Sequence, residues 1–181
     1  MDKVTPHDVV GFWRNAGYEK WFTRNEAFDA GFRERFLEAH YAAARGALED
    51  WMGGADSALA LVILLDQFPR NVFRNNAHAY ATDSLARHYA ARAVDAGFDA
   101  RVDPALRVFF YLPFEHSEDI ADQRRSLGLA TVLDQNYMKY AQLHHDAIAR
   151  FGRFPHRNHE LGRATTPEEQ AYLDAGGGFA G

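Results

Sequence analysis

The stretch Ser57-Ala58-Leu59-Ala60-Leu61-Val62-Ile63-Leu64-Leu65-Asp66-Gln67-Phe68-Pro69-Arg70-Asn71 decides the fold. Residues 58–65 are apolar without interruption, so the period-two alternation of a half-buried strand is missing. The alanines, and the lack of a turn signal before Pro69, favour a helix over a strand of similar length. A helix that is apolar all round belongs at the centre of a core. At eight residues the run is far short of the ~20 that cross a bilayer.

Helical spacing continues outward from this segment. Phe28, Phe32, Phe36 and His40 recur every four residues. Tyr41, Ala44, Leu48 and Trp51 extend the stripe, which predicts a helix ended by Gly53-Gly54. Thr5-Pro6-His7-Asp8 reads as an N-cap, a proline in the first turn and an acid near the positive end of the helix dipole. Thr166-Pro167-Glu168-Glu169 repeats that grammar as a capping box. A helix from Asp83 should stop at Gly97, with Phe98 folding back on it. Asp103-Pro104 should open a short apolar helix through Phe109, Phe110 and Leu112. Ser117 should cap the next, with Glu118 and Asp119 in its first turn. Tyr137, Tyr140, Ala141, His144, Ile148 and Phe151 mark a late helix, and His144 within that stripe reads as a core histidine. Gly176-Gly177-Gly178-Phe179 looks like a loose tail whose phenylalanine can dock. No strand pattern or hairpin signal occurs. The expectation is one all-α domain over residues 1–181, with about eight to ten helices in packed antiparallel pairs.

Composition agrees. The chain has 181 residues, 47% hydrophobic and 25% charged, enough for a full core. It has no cysteine, which excludes disulfides and thiolate chemistry and fits a cytoplasmic protein. A net charge of −5 argues against nucleic acid as the main partner. No apolar signal core follows the N-terminus, and no membrane partner is expected.

Three phrases share one design: an apolar anchor, a proline and a polar cluster. They are Asp66-Gln67-Phe68-Pro69-Arg70-Asn71, Leu112-Pro113-Phe114-Glu115-His116-Ser117-Glu118-Asp119 and Arg153-Phe154-Pro155-His156-Arg157-Asn158. Proline lacks a donor and disfavours helix in the residue before it, so each should interrupt a helix. Residues 115–122 carry Glu115, Glu118, Asp119 and Asp122 with no Lys or Arg. Residues 150–163 carry Arg150, Arg153, Arg157 and Arg163 against Glu160 alone. If these segments face each other, Arg–carboxylate forks join them; if one faces a cleft, the arginines suit an anionic ligand and the carboxylates a cation or metal. Asp66 and Arg70, spaced i,i+4, can pair locally, and Phe68 should enter the core.

These phrases supply the candidate ligand-binding residues: Asp66, Gln67, Arg70, Asn71, Glu115, His116, Ser117, Arg153, His156, Arg157 and Asn158. As a catalytic set, His116 or His156 would be the general acid–base, with Glu115 or Asp119 as the orienter. Glu115, His116, Asp119 and His156 would form a metal site only if distant segments met. The residues imply no metal and no cofactor. There is no Gly-x-x-x-x-Gly-Lys-Ser/Thr loop, no His-Glu-x-x-His and no Gly-x-Ser-x-Gly elbow.

The same phrases, with Leu161-Gly162-Arg163, Ala81-Thr82-Asp83 and the closing Thr166-Pro167-Glu168-Glu169, resemble the DUF924 family of bacterial proteins of unknown function. The resemblance implies an all-helical fold similar to tetratricopeptide-like helix pairs, and it brings no catalytic assignment. Asn75 stands where the family pattern has glycine after Arg74, and asparagine tolerates the left-handed turn glycine would supply. Three functions fit: a module binding a peptide or small anionic ligand, a small hydrolase-type enzyme, and a homo-oligomeric scaffold whose polar clusters are structural.

Overall fold

The structure, a computed structural model, describes residues 3–179. Nine α-helices and five short 3-10 segments occur among them, and no strand. The chain packs as two compact units. One runs up to Arg74 and takes in His78–Pro113; the other takes in Asn75–Ala77 and the chain from Phe114 onward.

In the first unit α1 (Pro6–Ala16) begins with the expected N-cap, which closes into a capping box. Thr5 Oγ1 accepts from the Asp8 amide at 3.3 Å, and Asp8 Oδ2 accepts from the Thr5 amide at 2.8 Å. The short α2 (Tyr18–Trp21) follows, then α3 (Glu26–Ala44), capped by Asn25. Helix α3 ends well before Gly53-Gly54. Gly46, at φ +74°, lets the Ala47 amide reach back to the Ala42 carbonyl at 2.9 Å and closes the helix there. Leu48 and Trp51 belong instead to a turn and to a 3-10 segment (Glu49–Gly53).

Helix α4 (Ala55–Val72) is the centre, packing on α1, α3 and α5 (Asp83–Asp95). Every side chain from 58 to 69 is buried. Each fully buried Leu or Ile contributes roughly 1.5–3 kcal/mol. Phe32 lies edge-on to Phe68 at 5.0 Å, and Trp13 lies edge-on to Phe109 at 5.2 Å. Pro69 does not interrupt this helix, contrary to the expectation, because the damage it causes is repaired from outside. The Leu65 carbonyl, four residues back and without its amide donor, accepts from Thr82 Oγ1 at 2.5 Å. The neighbouring Leu64 carbonyl accepts from His40 Nδ1 at 2.8 Å.

Helix α5 ends as expected: Gly97 is left-handed and the Phe98 amide bonds the Ala93 carbonyl at 2.9 Å. After Asp103-Pro104 the chain makes a turn and a 3-10 segment (Arg107–Phe110) rather than one helix through Leu112, which instead starts the one-turn α6 (Leu112–Glu115).

In the second unit α7 (Ile120–Ala130) and α8 (Gln135–Phe151) pack together. Asp119, not Ser117, caps α7: its carboxylate accepts from the Ala121 amide at 2.8 Å. Ser117 lies in the preceding turn, accepting from the Asp119 amide and donating to Asp122 at 2.7 Å. Left-handed Gly152 ends α8, and Pro155 opens a 3-10 turn (Pro155–Arg157). Helix α9 (Pro167–Asp174) carries the Thr166/Glu169 capping box. Ala147, Ile148 and Phe154 form a buried cluster, with Ile120 and Phe179 packed against it. No helix among the described residues is long and apolar enough to cross a membrane.

Candidate functional site

The first phrase lies on the last two turns of α4, where its polar side chains are engaged within the first unit. Arg70 forks onto Asp83 at 2.7 and 2.9 Å and also reaches Asp66 Oδ1 at 3.1 Å. Burial works against the charge of Arg70, but Asp66 and Asp83 outweigh it and raise the pKa of the guanidinium. Gln67 donates to the other Asp66 oxygen at 2.6 Å. Asn71 donates to Asp29 Oδ1 at 2.8 Å, and Arg74 Nε to Asp29 Oδ2 at 3.0 Å. These bonds tie α4 to α3 and α5.

The other two phrases meet in the second unit. Glu118 accepts a fork from Arg163 at 2.8 and 3.0 Å, and the Phe154 amide at 2.7 Å. Burial raises the Glu118 carboxyl, but Arg163 and the amide prevail and hold it below its ordinary range. This is the expected pairing of the acidic and basic segments. Arg153 goes elsewhere: it forks onto Glu169 of α9 at 2.6 and 2.8 Å. Glu169 therefore serves two ends, capping α9 and receiving Arg153, whose hydrogen bonds bring its pKa down to about 2. Asn158 Nδ2 approaches the same carboxylate at 3.3 Å. Arg157 is buried with its guanidinium 4.5 Å from the centre of the Phe154 ring.

Glu115 Oε1 lies 3.2 Å from Nδ1 of His144, which donates to the Tyr140 carbonyl at 2.9 Å. Burial, opposed by that carbonyl bond and reinforced by His116, Arg157 and His156, lowers the His144 pKa to about 3. The contact with Glu115 is thus one between a carboxylate and a neutral imidazole, not an ion pair. Asp119, the other proposed orienter, spends its carboxylate on the α7 cap. No three His, Asp or Glu side chains among the described residues converge as a metal cage, so the set Glu115, His116, Asp119 and His156 does not assemble.

His144 and Phe179 are the residues the phrases did not bring forward as a site. The Phe179 ring lies parallel to the His144 imidazole, 3.6 Å between centres and 11° between planes. It stands edge-on to Phe154 at 6.0 Å and to His156 at 5.5 Å. The approach is close at Gly177 and Gly178. A Cβ on Gly177 would land 2.5 Å from the Tyr172 ring, and one on Gly178 would come within 3.0 Å of His156 Cβ. Glycine is therefore required where the backbone passes, and an aromatic ring fills the seat. Two clefts open in the first unit, about 510 and 610 Å³, and no candidate residue from the three phrases lines either.

This chain is an all-α protein. Residues 9–177 match the family described as a bacterial protein of unknown function, DUF924, and the chain belongs to it. It is similar to a solved structure of a protein of unknown function, ATU0120, from Agrobacterium tumefaciens. The two are 55% identical, with a TM-score of 0.92 over 94% of this chain and 97% of that one. No curated protein matches.

Proposed function

We propose that the protein is a peptide-binding module whose seat takes an aromatic side chain preceded by glycine, and whose own C-terminal tail fills that seat in cis. The observation that carries this is the parallel stack of Phe179 on the buried, neutral His144. A neutral imidazole offers a flat face without the cost of burying a charge, and its ring is held by the Tyr140 carbonyl and by Glu115. The arginine forks act as the frame: Arg163–Glu118 fixes the Phe154 backbone, and Arg153–Glu169 ties the 3-10 corner to α9. Within this reading Arg153, Arg157 and Asn158 position the seat instead of gripping an anion.

A tethered tail competes at an effective concentration of order mM, so a free peptide binds weakly until the tail is displaced. The test is calorimetric titration of the full chain carrying Phe179→Ala with the peptide Gly-Gly-Gly-Phe-Ala-Gly. The variant should bind at least tenfold tighter than wild type, and the peptide with alanine for phenylalanine should not bind. Equal affinity for both peptides, or no binding to the variant at millimolar peptide, removes the proposal.

A further inference from the structure

The 510 Å³ cleft of the first unit has a charge pattern that none of the polar networks shares. Lys3, Lys20 and Arg35 lie on its rim, all exposed, and no described carboxylate pairs with any of them. The one acid that lines it, Asp8, is turned back on its own helix, accepting from the Thr5 amide at 2.8 Å and the Thr5 hydroxyl at 2.6 Å. Three cations thus surround a wall of rings. Phe12 is stacked on Phe28 at 5.1 Å and on Phe32 at 5.3 Å, and Arg35 stands 5.3 Å from the Phe12 centre. Arg70 and Arg74 of the same unit, by contrast, are each accompanied by a carboxylate. A cluster of like charges left uncompensated over aromatic surface is costly unless an anion joins it.

We infer that this cleft binds a small organic anion built on a flat ring, an aromatic carboxylate being the simplest case. The ring packs on Phe12 and its neighbours, and the carboxylate lies among Lys3, Lys20 and Arg35. The volume falls inside the ~300–1,000 Å³ span of small-molecule sites. Arginine provides both a planar face for the ring and forked donors for the carboxylate, which lysine cannot. The site involves none of the residues of the peptide seat, so each reading stands or falls by itself.

The probe is 2-naphthoate, with 2-naphthamide as its neutral isostere, titrated calorimetrically into the full-length protein. Naphthoate should bind at least tenfold more tightly than the amide and weaken as salt rises from 50 to 500 mM. The double variant Lys20→Glu, Arg35→Glu changes only exposed side chains and should keep the wild-type melting temperature while losing at least tenfold in affinity. Phe179→Ala should leave naphthoate binding unchanged. Equal binding of acid and amide, wild-type affinity in the charge-reversed protein, or no binding at millimolar naphthoate overturns the inference.

Discussion

The hydroxyl of Thr82 donates to the carbonyl of Leu65 at 2.5 Å, taking the place of the amide hydrogen that Pro69 lacks. Thr82 heads α5, and the normal use of a threonine there is to cap its own helix, yet it makes no side-chain cap bond. Its hydroxyl serves a neighbouring helix instead. Both groups are buried, so losing the donor leaves a carbonyl without water or partner. Thr82→Val should cost about 1–3 kcal/mol in urea unfolding. The specific check is the double variant with Pro69→Ala, in which the helix supplies its own donor to Leu65. There the cost of Thr82→Val should shrink by at least ~1 kcal/mol. Additive effects of the two substitutions would show that the hydroxyl does not compensate the proline.

The Glu169 carboxyl gives a pH prediction with a definite direction. Its folded pKa is about 2, below its ordinary 4.5, chiefly through Arg153. Between those values the unfolded chain holds a proton that the folded one does not. The contribution of Glu169 to stability is therefore complete above about pH 4.5 and falls as pH drops toward 2. Glu118 shifts in the same direction through Arg163 and adds to the fall. In Glu169→Gln the loss of stability on acidification should be shallower than in wild type, at the cost of a lower starting stability. Parallel stability–pH curves from urea midpoints would exclude the carboxylate as a source of the acid sensitivity.

The helices were legible in the sequence where a local signal decides them, and misread where a distant side chain does. The Thr5 N-cap, the Thr166–Glu169 capping box and the Phe28–His40 stripe follow from spacing alone, and the left-handed Asn75 (φ 58°) fits the turn that the family resemblance implies. Pro69 was misread because the donor that rescues its helix lies 17 residues away in Leu65–Thr82, beyond any window of periodicity. The end of α3 was misplaced because Gly46 has a double glycine competing with it seven residues later, and only the Ala47-to-Ala42 bond says which one acts. The charge contrast between residues 115–122 and 150–163 pointed to forks between the two segments without naming a pair, and Arg163 on Glu118 is such a fork. Glu169 looked spoken for by its capping box, and a carboxylate has a second set of lone pairs that spacing does not show. His144 was rightly placed in the core, but its meaning depended on Phe179, 35 residues further on.

His144 offers a spectroscopic test of that seat. Its Nδ1 bonds a carbonyl oxygen, so the folded protein holds the neutral tautomer with the proton on Nδ1. With the pKa lowered to about 3, the ring should show no titration in imidazole nitrogen NMR between pH 7 and pH 5. A buried neutral histidine also weakens the fold in acid: the unfolded chain takes up a proton below its ordinary 6.5 that the folded chain refuses until about pH 3, so stability falls across that window. Phe179→Ala admits water to the ring and should move the titration upward. An imidazole that titrates near 6.5 in the wild-type protein would mean that the tail does not cover it.

Gly177 separates a seated tail from one that merely lies nearby. Its Cα carries no side chain because a Cβ there would fall 2.5 Å from the Tyr172 ring, well inside contact. Tyr172 is itself held against Phe151, with ring centres 5.0 Å apart. Gly177→Ala must therefore displace either that pair or the tail, and the tail, anchored by one ring, is the weaker of the two. The variant should reproduce Phe179→Ala: the same upward shift in His144 titration and the same gain of at least tenfold in affinity for Gly-Gly-Gly-Phe-Ala-Gly. Global stability should fall by no more than about 1 kcal/mol, as for other losses of a local contact at a chain end. If Gly177→Ala keeps the His144 signal of the wild type while Phe179→Ala shifts it, the glycine track is slack, and selection for glycine before the aromatic residue has to be abandoned while the aromatic seat itself survives.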